Sequence, residues 1–332
     1  MVRVAIDVMG GDAPPVERVA AGVAAARDGD IEVVLVGVPD IVEAALTAED
    51  VHGLPISVVP SGPAIAEGEQ PALALHRRPD ASVAVAAGLV KSGAADAVVS
   101  IGNTGASMAA AQIMLGTLPG VERISAGGDV FGPLAPSTVL IDCGPNVDVR
   151  PQQLVTFAVL GVAYAREMLG IVDPTVALLA NGAERGKGNH LVRAAYPLFE
   201  ASGLRFIGQV EGHDLLRQRA NVVVCDGFVG NVVIKFYEAV GEAVTEYLIQ
   251  ALGDRLPEEA ARDMRGCVRQ ISSRTERGGP LLGVNGLFVV GHGAAHVAEV
   301  TDMIRVAARL ARSGFVNELR ATLAGTLGEV TQ

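Results

Sequence analysis

Short apolar runs recur along this chain, and helix-length Ala-rich stretches separate most of them. The runs fall at 2–6, 32–36, 56–59, 97–100, 138–141, 175–179, 206–209 and 222–225. Each is short and nearly continuous in apolar character, as a strand buried on both faces must be. Strands that alternate with helices form βαβ units. The pattern predicts an α/β fold: three α/β/α layers, doubly wound around a mostly parallel sheet. The chain has 332 residues, half of them apolar, enough for a core in one large domain or two smaller ones. We read it as a single domain over 1–332.

Charge and cysteine content exclude several classes. The net charge of −11 disfavours general nucleic-acid binding. Cys143, Cys225 and Cys267 are too far apart for a zinc ribbon, and their odd number argues against a disulfide framework. A reduced, cytoplasmic setting is the expectation. The N-terminus enters a strand at once, with no signal-peptide pattern. No apolar run reaches the ~18 residues that a membrane span needs.

The composition changes most sharply at 237–280. Val240, Ala243, Val244, Tyr247, Leu248, Ala251 and Leu252 recur at helical spacing, and Gly253 ends that helix. Pro257, Glu258 and Glu259 suit the first turn of a second helix, which carries Arg262 and Arg265. The segment reads as an inserted helical hairpin. It is either a dimerisation or surface hairpin, or a surface for a partner or a membrane.

Five loops after predicted strands place glycine beside Asp, Asn or Lys. They are Asp7-Val-Met-Gly-Gly-Asp12, Ser100-Ile-Gly-Asn-Thr-Gly-Ala106, Asp142-Cys-Gly-Pro-Asn-Val-Asp148, Asn181-Gly-Ala-Glu-Arg-Gly-Lys-Gly188 and Asp226-Gly-Phe-Val-Gly-Asn231. Open α/β sheets bind ligands at the carboxyl ends of their strands. The second loop joins a strand to a helix start, whose unpaired N–H groups and dipole favour an anion. By itself it fits a capped turn equally well. None of the loops is a P-loop, a dinucleotide fingerprint, a nucleophile elbow or a zinc helix. Asp7, Asp12, Asp142 and Asp226 either cap helices and tie loops or converge on a metal; we expect no metal. The ligand-lining candidates are Asp7, Gly10, Gly11, Gly102, Asn103, Thr104, Gly105, Asn146, Asp226 and Gly230.

These motifs together resemble the bacterial phosphate acyltransferase family, which converts acyl-acyl carrier protein and inorganic phosphate into acyl phosphate. The matching segments are 5–12, 102–106, 142–148, Lys187-Gly188, Glu211-Gly212, 226–231, 281–283, Gly286 and His292-Gly293, in order from end to end. The likeness breaks at 76–83, where Pro79 and Ala81 replace the family's usual Lys and Ser. It breaks again at Arg123-Ile-Ser125, Pro145, His213 and Val229. The resemblance implies the fold of isopropylmalate-type dehydrogenases and phosphate acetyltransferases. It also implies a homodimer paired through C-terminal helices, acyl carrier protein and phosphate as partners, no cofactor, and a role in phospholipid synthesis. Alternatives are a paralogue using acyl-CoA or a specialised acyl donor, and a non-catalytic membrane-docked scaffold. The hairpin tip offers only Leu252 and Leu256 among charges, so any peripheral membrane contact is expected to be weak.

The implied reaction is attack of a phosphate oxygen on a thioester carbonyl. Phosphate is already anionic, and a thiol leaving group with a pKa of roughly 8–9 needs little help to depart. Positioning and charge stabilisation are then the main tasks. On this reading the 102–105 loop holds phosphate, with Asn231 and Lys187. Lys235, one turn past Asn231, points at the site or is an ion-paired surface lysine. His292 protonates the leaving sulfur or holds a turn. Cys225 reads as a small buried hydrophobe rather than a nucleophile. Arg77 and Arg78, with Arg262 and Arg265, are candidates for meeting an acidic carrier protein, against a solvated helix face.

Overall fold

The computed structural model describes residues 1–276 and 278–330. Its strands are β1 (Val2–Asp7), β2 (Ile31–Gly37), β3 (Ile56–Pro60), β4 (Ala97–Ser100), β5 (Gly127–Gly128), β6 (Val139–Ile141), β7 (Val176–Leu179), β8 (Phe206–Val210), β9 (Val222–Val224), β10 (Gly279–Pro280) and β11 (Phe288–Val290). Every apolar run read as a strand is one, with ends shifted by a residue or two. The strands that periodicity misses are β5, β10 and β11. β5 and β10 are two-residue pieces of Gly and Pro, with no side-chain alternation to reveal them.

Where the sequence reading drew one domain, the chain divides into two compact units. One comprises Met1–Ile124 with Glu276–Ala324, and the other Ser125–Thr275 with the chain's last residues. Each has its own sheet. The order is β10-β11-β4-β1-β2-β3 in the first and β5-β6-β9-β7-β8 in the second. Neighbours are parallel except at one edge of each sheet, where β10 and β5 run antiparallel. The fold is therefore α/β with mostly parallel sheets and flanking helices. The two sheets are separate, which a chain-wide strand pattern does not announce.

The local rules are visible in each unit. In the first, the helix Pro15–Ala26 starts on proline at its first position and buries Val19, Gly22, Val23 and Ala26 on one face. Its sheet buries Val4, Ala5 and Ile6 almost completely. In the second, the helix Pro151–Leu169 covers the strands with a nearly all-apolar body and ends at Gly170 in the left-handed region. The hairpin's first helix is longer than its amphipathic stretch, running over Gly227–Leu252. A short helical turn, Gly253–Arg255, leads to the second helix, Glu258–Glu276. In the single chain the apolar stripe of the long helix faces outward. Phe228, Phe236 and Tyr247 are each more than 60% exposed, and Val232, Val240 and Val244 continue the stripe.

Candidate functional site

In the first unit, β1 and β4 are parallel neighbours, with Ile6 beside Val99. That register carries Asp7 and Ser100 to adjacent strand ends. Asp7 is buried, and Ser100 Oγ donates to its Oδ2 at 2.8 Å while Gly10 N donates to its Oδ1 at 3.2 Å. Ser107 Oγ lies 3.2 Å from Ser100 Oγ and supplies the next proton in the chain. Gly102 N approaches the same hydroxyl at 3.4 Å. Burial raises the Asp7 pKa, and the hydroxyls of Ser82 and Ser100 and nearby backbone N–H groups pull it back down. Ser82 acts as a nearby dipole only: its buried Oγ has no hydrogen-bond partner among the described residues.

The loops after β1 and β4 touch through their backbones. A Cβ on Gly10 would lie 2.8 Å from Gly102 N and Cα, so only glycine permits this approach. Asn103 caps the helix Thr104–Ala110, its Oδ1 accepting from Ala106 N at 3.0 Å. Thr104 and Gly105 remain exposed at that helix start, where first-turn N–H groups lack acceptors inside the helix.

In the second unit the corresponding carboxylate is Asp142, directly after β6. It is fully buried. Its Oδ2 accepts from Asn146 N at 2.9 Å and Nδ2 at 2.7 Å, and its Oδ1 accepts from Ala126 N at 3.2 Å. Burial outweighs these donors and pushes the Asp142 pKa up to about 6. Asp226 caps the long helix, accepting from Val229 N at 2.9 Å, and Gly227 N donates to Asn146 O at 2.8 Å. A Cβ on Gly230 would collide with the Asp142 carbonyl oxygen. The third and fifth loops are thus locked together.

The fourth loop is tied at three points. Asn181 Oδ1 accepts from Gly188 N at 2.9 Å, and Gln209 Nε2 donates to Lys187 O at 3.0 Å. Asn189 caps the next helix through Val192 N at 2.9 Å. The tied loop presents Lys187 at the surface.

A family model described as "Fatty acid synthesis protein" matches residues 2–318. A "Phosphate acyltransferase" of Desulforudis audaxviator is 41% identical over 336 residues, covering 100% of this chain and 98% of the relative. One of Nostoc punctiforme is 43% identical over 314 residues, covering 92% of each. The chain belongs to the phosphate acyltransferase family. Among solved structures, a phosphotransacetylase from Streptococcus pyogenes superposes with a TM-score of 0.60 at 18% identity, over 94% of both chains. A 4-hydroxythreonine-4-phosphate dehydrogenase from Klebsiella pneumoniae gives 0.54 at 14% identity, over 93% of this chain and 99% of the other. At that identity the likeness shows the fold.

The structure sorts the sequence candidates by unit. Asp7, Gly10, Gly11, Gly102, Asn103, Thr104, Gly105 and His292 lie in the first; Asn146, Lys187, Asp226, Gly230, Asn231 and Lys235 lie in the second. The side-chain oxygens of Asn103 and Asp226 cap helices. Lys235 is exposed and pairs with Glu238 at 2.9 Å. His292 is exposed, and its Nδ1 accepts from Ala294 N at 3.4 Å, which holds the turn. Arg78 Nη2 donates to both carboxylate oxygens of Glu69 and Nη1 donates to Ala64 O; Arg265 is bidentate to Glu246; Arg77 and Arg262 are exposed. Burial raises the Cys143 and Cys225 pKa values well above the thiol norm, which keeps both neutral. Among the described residues, no three His, Cys, Asp or Glu side chains are grouped to hold a metal. Among them, too, no helix is long and apolar enough to cross a membrane.

Sequence reasoning passed over Ser100, Ser107 and Arg18 as site residues, and it read Asp142 only as a loop tie or possible metal ligand. Ser100 stood in the second loop's motif, but its partner is 93 positions away. Arg18 did leave a signal: a charge on the stripe of Val19, Gly22, Val23 and Ala26, which is the buried face.

Proposed function

We propose that this protein transfers a fatty acyl group from acyl carrier protein to inorganic phosphate, giving acyl phosphate for phospholipid synthesis. The observation that carries the reading is membership of the family along nearly the whole chain, at 41% identity to the Desulforudis relative. A phosphate oxygen adds to the thioester carbonyl, the C–S bond breaks, and the carrier's thiolate leaves and takes a proton from the medium or a nearby acid. The features described above suit this chemistry. Cys225 is buried and Cys143 half-buried, and both thiol pKa values are raised well above the norm, so direct attack by phosphate is favoured over an acyl-enzyme on either. The exposed helix start at Thr104–Gly105 suits an anion, and Lys187 offers a cation on a braced loop. Arg77 and Arg262 are the carrier contacts we favour, because Arg78 and Arg265 are already engaged by carboxylates.

The outward stripe on the helix Gly227–Leu252 is our candidate for the homodimer face. Phe236→Glu should shift the protein to monomer in size-exclusion light scattering if that assignment holds.

The activity test is incubation of the purified protein with acyl-acyl carrier proteins of several chain lengths and phosphate, trapping product with hydroxylamine. Hydroxamate should form in proportion to free thiol released, and above the direct cleavage of the thioester by hydroxylamine only when enzyme and phosphate are both present. No such excess at any chain length rejects the proposal. A parallel acyl-CoA series decides the donor, which the departures at Pro79 and Ala81 make worth testing.

A further inference from the structure

Arg18 is 1% exposed, in the first turn of the helix Pro15–Ala26. A guanidinium stays protonated in proteins, so its burial requires compensation nearby. Its Nε donates to Val8 O at 2.8 Å. Its Nη1 is sealed from solvent with no hydrogen-bond partner among the described residues. That atom lies 3.3 Å from where a Cβ on Gly11 would stand, directly under the first glycine loop. The negative charges acting on it are those of Asp7, Glu17 and Asp12, and Asp7 is buried like Arg18 itself. Asp12 in turn anchors the other end of the loop. Its backbone N donates to Gly293 O at 2.9 Å, and its carboxylate packs against Gly293, next to His292.

We infer that Arg18 is an internal positioning residue: it fixes the 8–12 loop through Val8 and balances the buried charge of Asp7. Two structures depend on that loop. One is the backbone contact between Gly10 and Gly102, and the other is the turn that carries His292. Arg18 touches no substrate; it acts through the loop. An isolated buried arginine with only a structural role would cost stability when removed, but it would not single out one substrate.

The test combines an unfolding cycle with kinetics on the full chain; the kinetic part rests on the phosphate reading proposed above. Arg18→Met, Asp7→Asn and the double variant are compared with wild type by urea unfolding. Arg18→Met should weaken folding about tenfold more in the wild-type background than in the Asp7→Asn background, because only with the aspartate present is a buried charge stranded. Arg18→Met should raise the phosphate KM about tenfold while the acyl-donor KM stays within about twofold. Arg18→Lys, which keeps the charge and loses the planar fork, should fall between and carries the kinetic comparison if the Met variant does not fold. Additive unfolding costs overturn the charge pairing. Equal changes in both KM values, or none, overturn the positioning role. If wild type makes no acyl phosphate, the proposed function fails, and the unfolding cycle alone still decides whether Arg18 balances Asp7.

Discussion

Each unit of this protein deeply buries an aspartate at the end of a parallel strand, Asp7 in one and Asp142 in the other, and presses a glycine-bearing loop against it, yet the two carboxylates are held differently. Asp7 receives a serine hydroxyl, itself backed by Ser107, and has the cation of Arg18 within its field. Asp142 receives the amide of Asn146 and two backbone N–H groups, and the donors that lower its pKa are neutral. The same strand-end position therefore supports two solutions to one problem, the cost of a carboxylate without water. Burial raises the pKa of both carboxylates, and neutral donors pull each back only in part; at Asp142 the balance lies near 6.

The largest expected effect concerns the glycine contacts. Gly230→Ala sets a Cβ into the Asp142 carbonyl, whose residue is fixed in the ladder through Asp142 N to Cys225 O at 3.0 Å. It should cost about 4 kcal/mol or more, read as lost soluble protein or a collapsed thermal transition. Gly10→Ala meets the Gly102 backbone at 2.8 Å, where a loop can shift, and should cost about 1–3 kcal/mol. If Gly10→Ala is the worse of the two, the first loop is more rigid than the second-unit pair.

Next comes pH. The folded Asp142 pKa of about 6 exceeds its ordinary 3.8, so between these values the folded state holds the extra proton. This group's contribution is fully present below about pH 4 and is lost as pH rises through about 6. The loss amounts to about 3 kcal/mol across that window. Urea melts from about pH 4 to about pH 7 should show this fall in wild type and a flatter profile in Asp142→Asn. An unchanged slope would mean that Asp142 stays ionised throughout. In Asp7→Asn the corresponding change should also reduce a falling slope, since burial raises that pKa too.

Ser100→Ala removes the donor to Asp7 Oδ2 and should cost about 1–3 kcal/mol, seen in thermal melts. The smallest effects belong to the caps. Asn103→Ala and Asp226→Ala should each cost about 1 kcal/mol. Equal losses would separate capping, common to both units, from the carboxylate chemistry that divides them.

Local features of the site were open to sequence reading. Asn103 and Asp226 precede helix starts and accept from the third residue onward, a relation three positions long. Gly230 stood among the ligand-lining candidates, but its tight contact is with the Asp142 carbonyl of the third loop, which sequence distance hides. For Lys235 the ion-paired alternative is the one present: Glu238, one turn later, pairs with it, as helical spacing allows. Ser100 beside Asp7 was not legible, because it depends on β1 lying between β2 and β4. The same holds for Asn146 beneath Gly227, where two loops far apart in sequence share a hydrogen bond.

The sequence by itself determined most of the strands, several helix starts and the run of motifs that marks the family, because each is written in residues close together. Period-two and period-3.6 burial, caps and glycine turns all act within a few positions. Only the tertiary structure decided that two sheets form, that Asp7 and Asp142 are buried, and that Arg18 lies beneath the first loop instead of in solvent. Those outcomes depend on sheet order and on which surfaces meet. A carboxylate's pKa and an arginine's burial are set by neighbours that sequence distance does not measure.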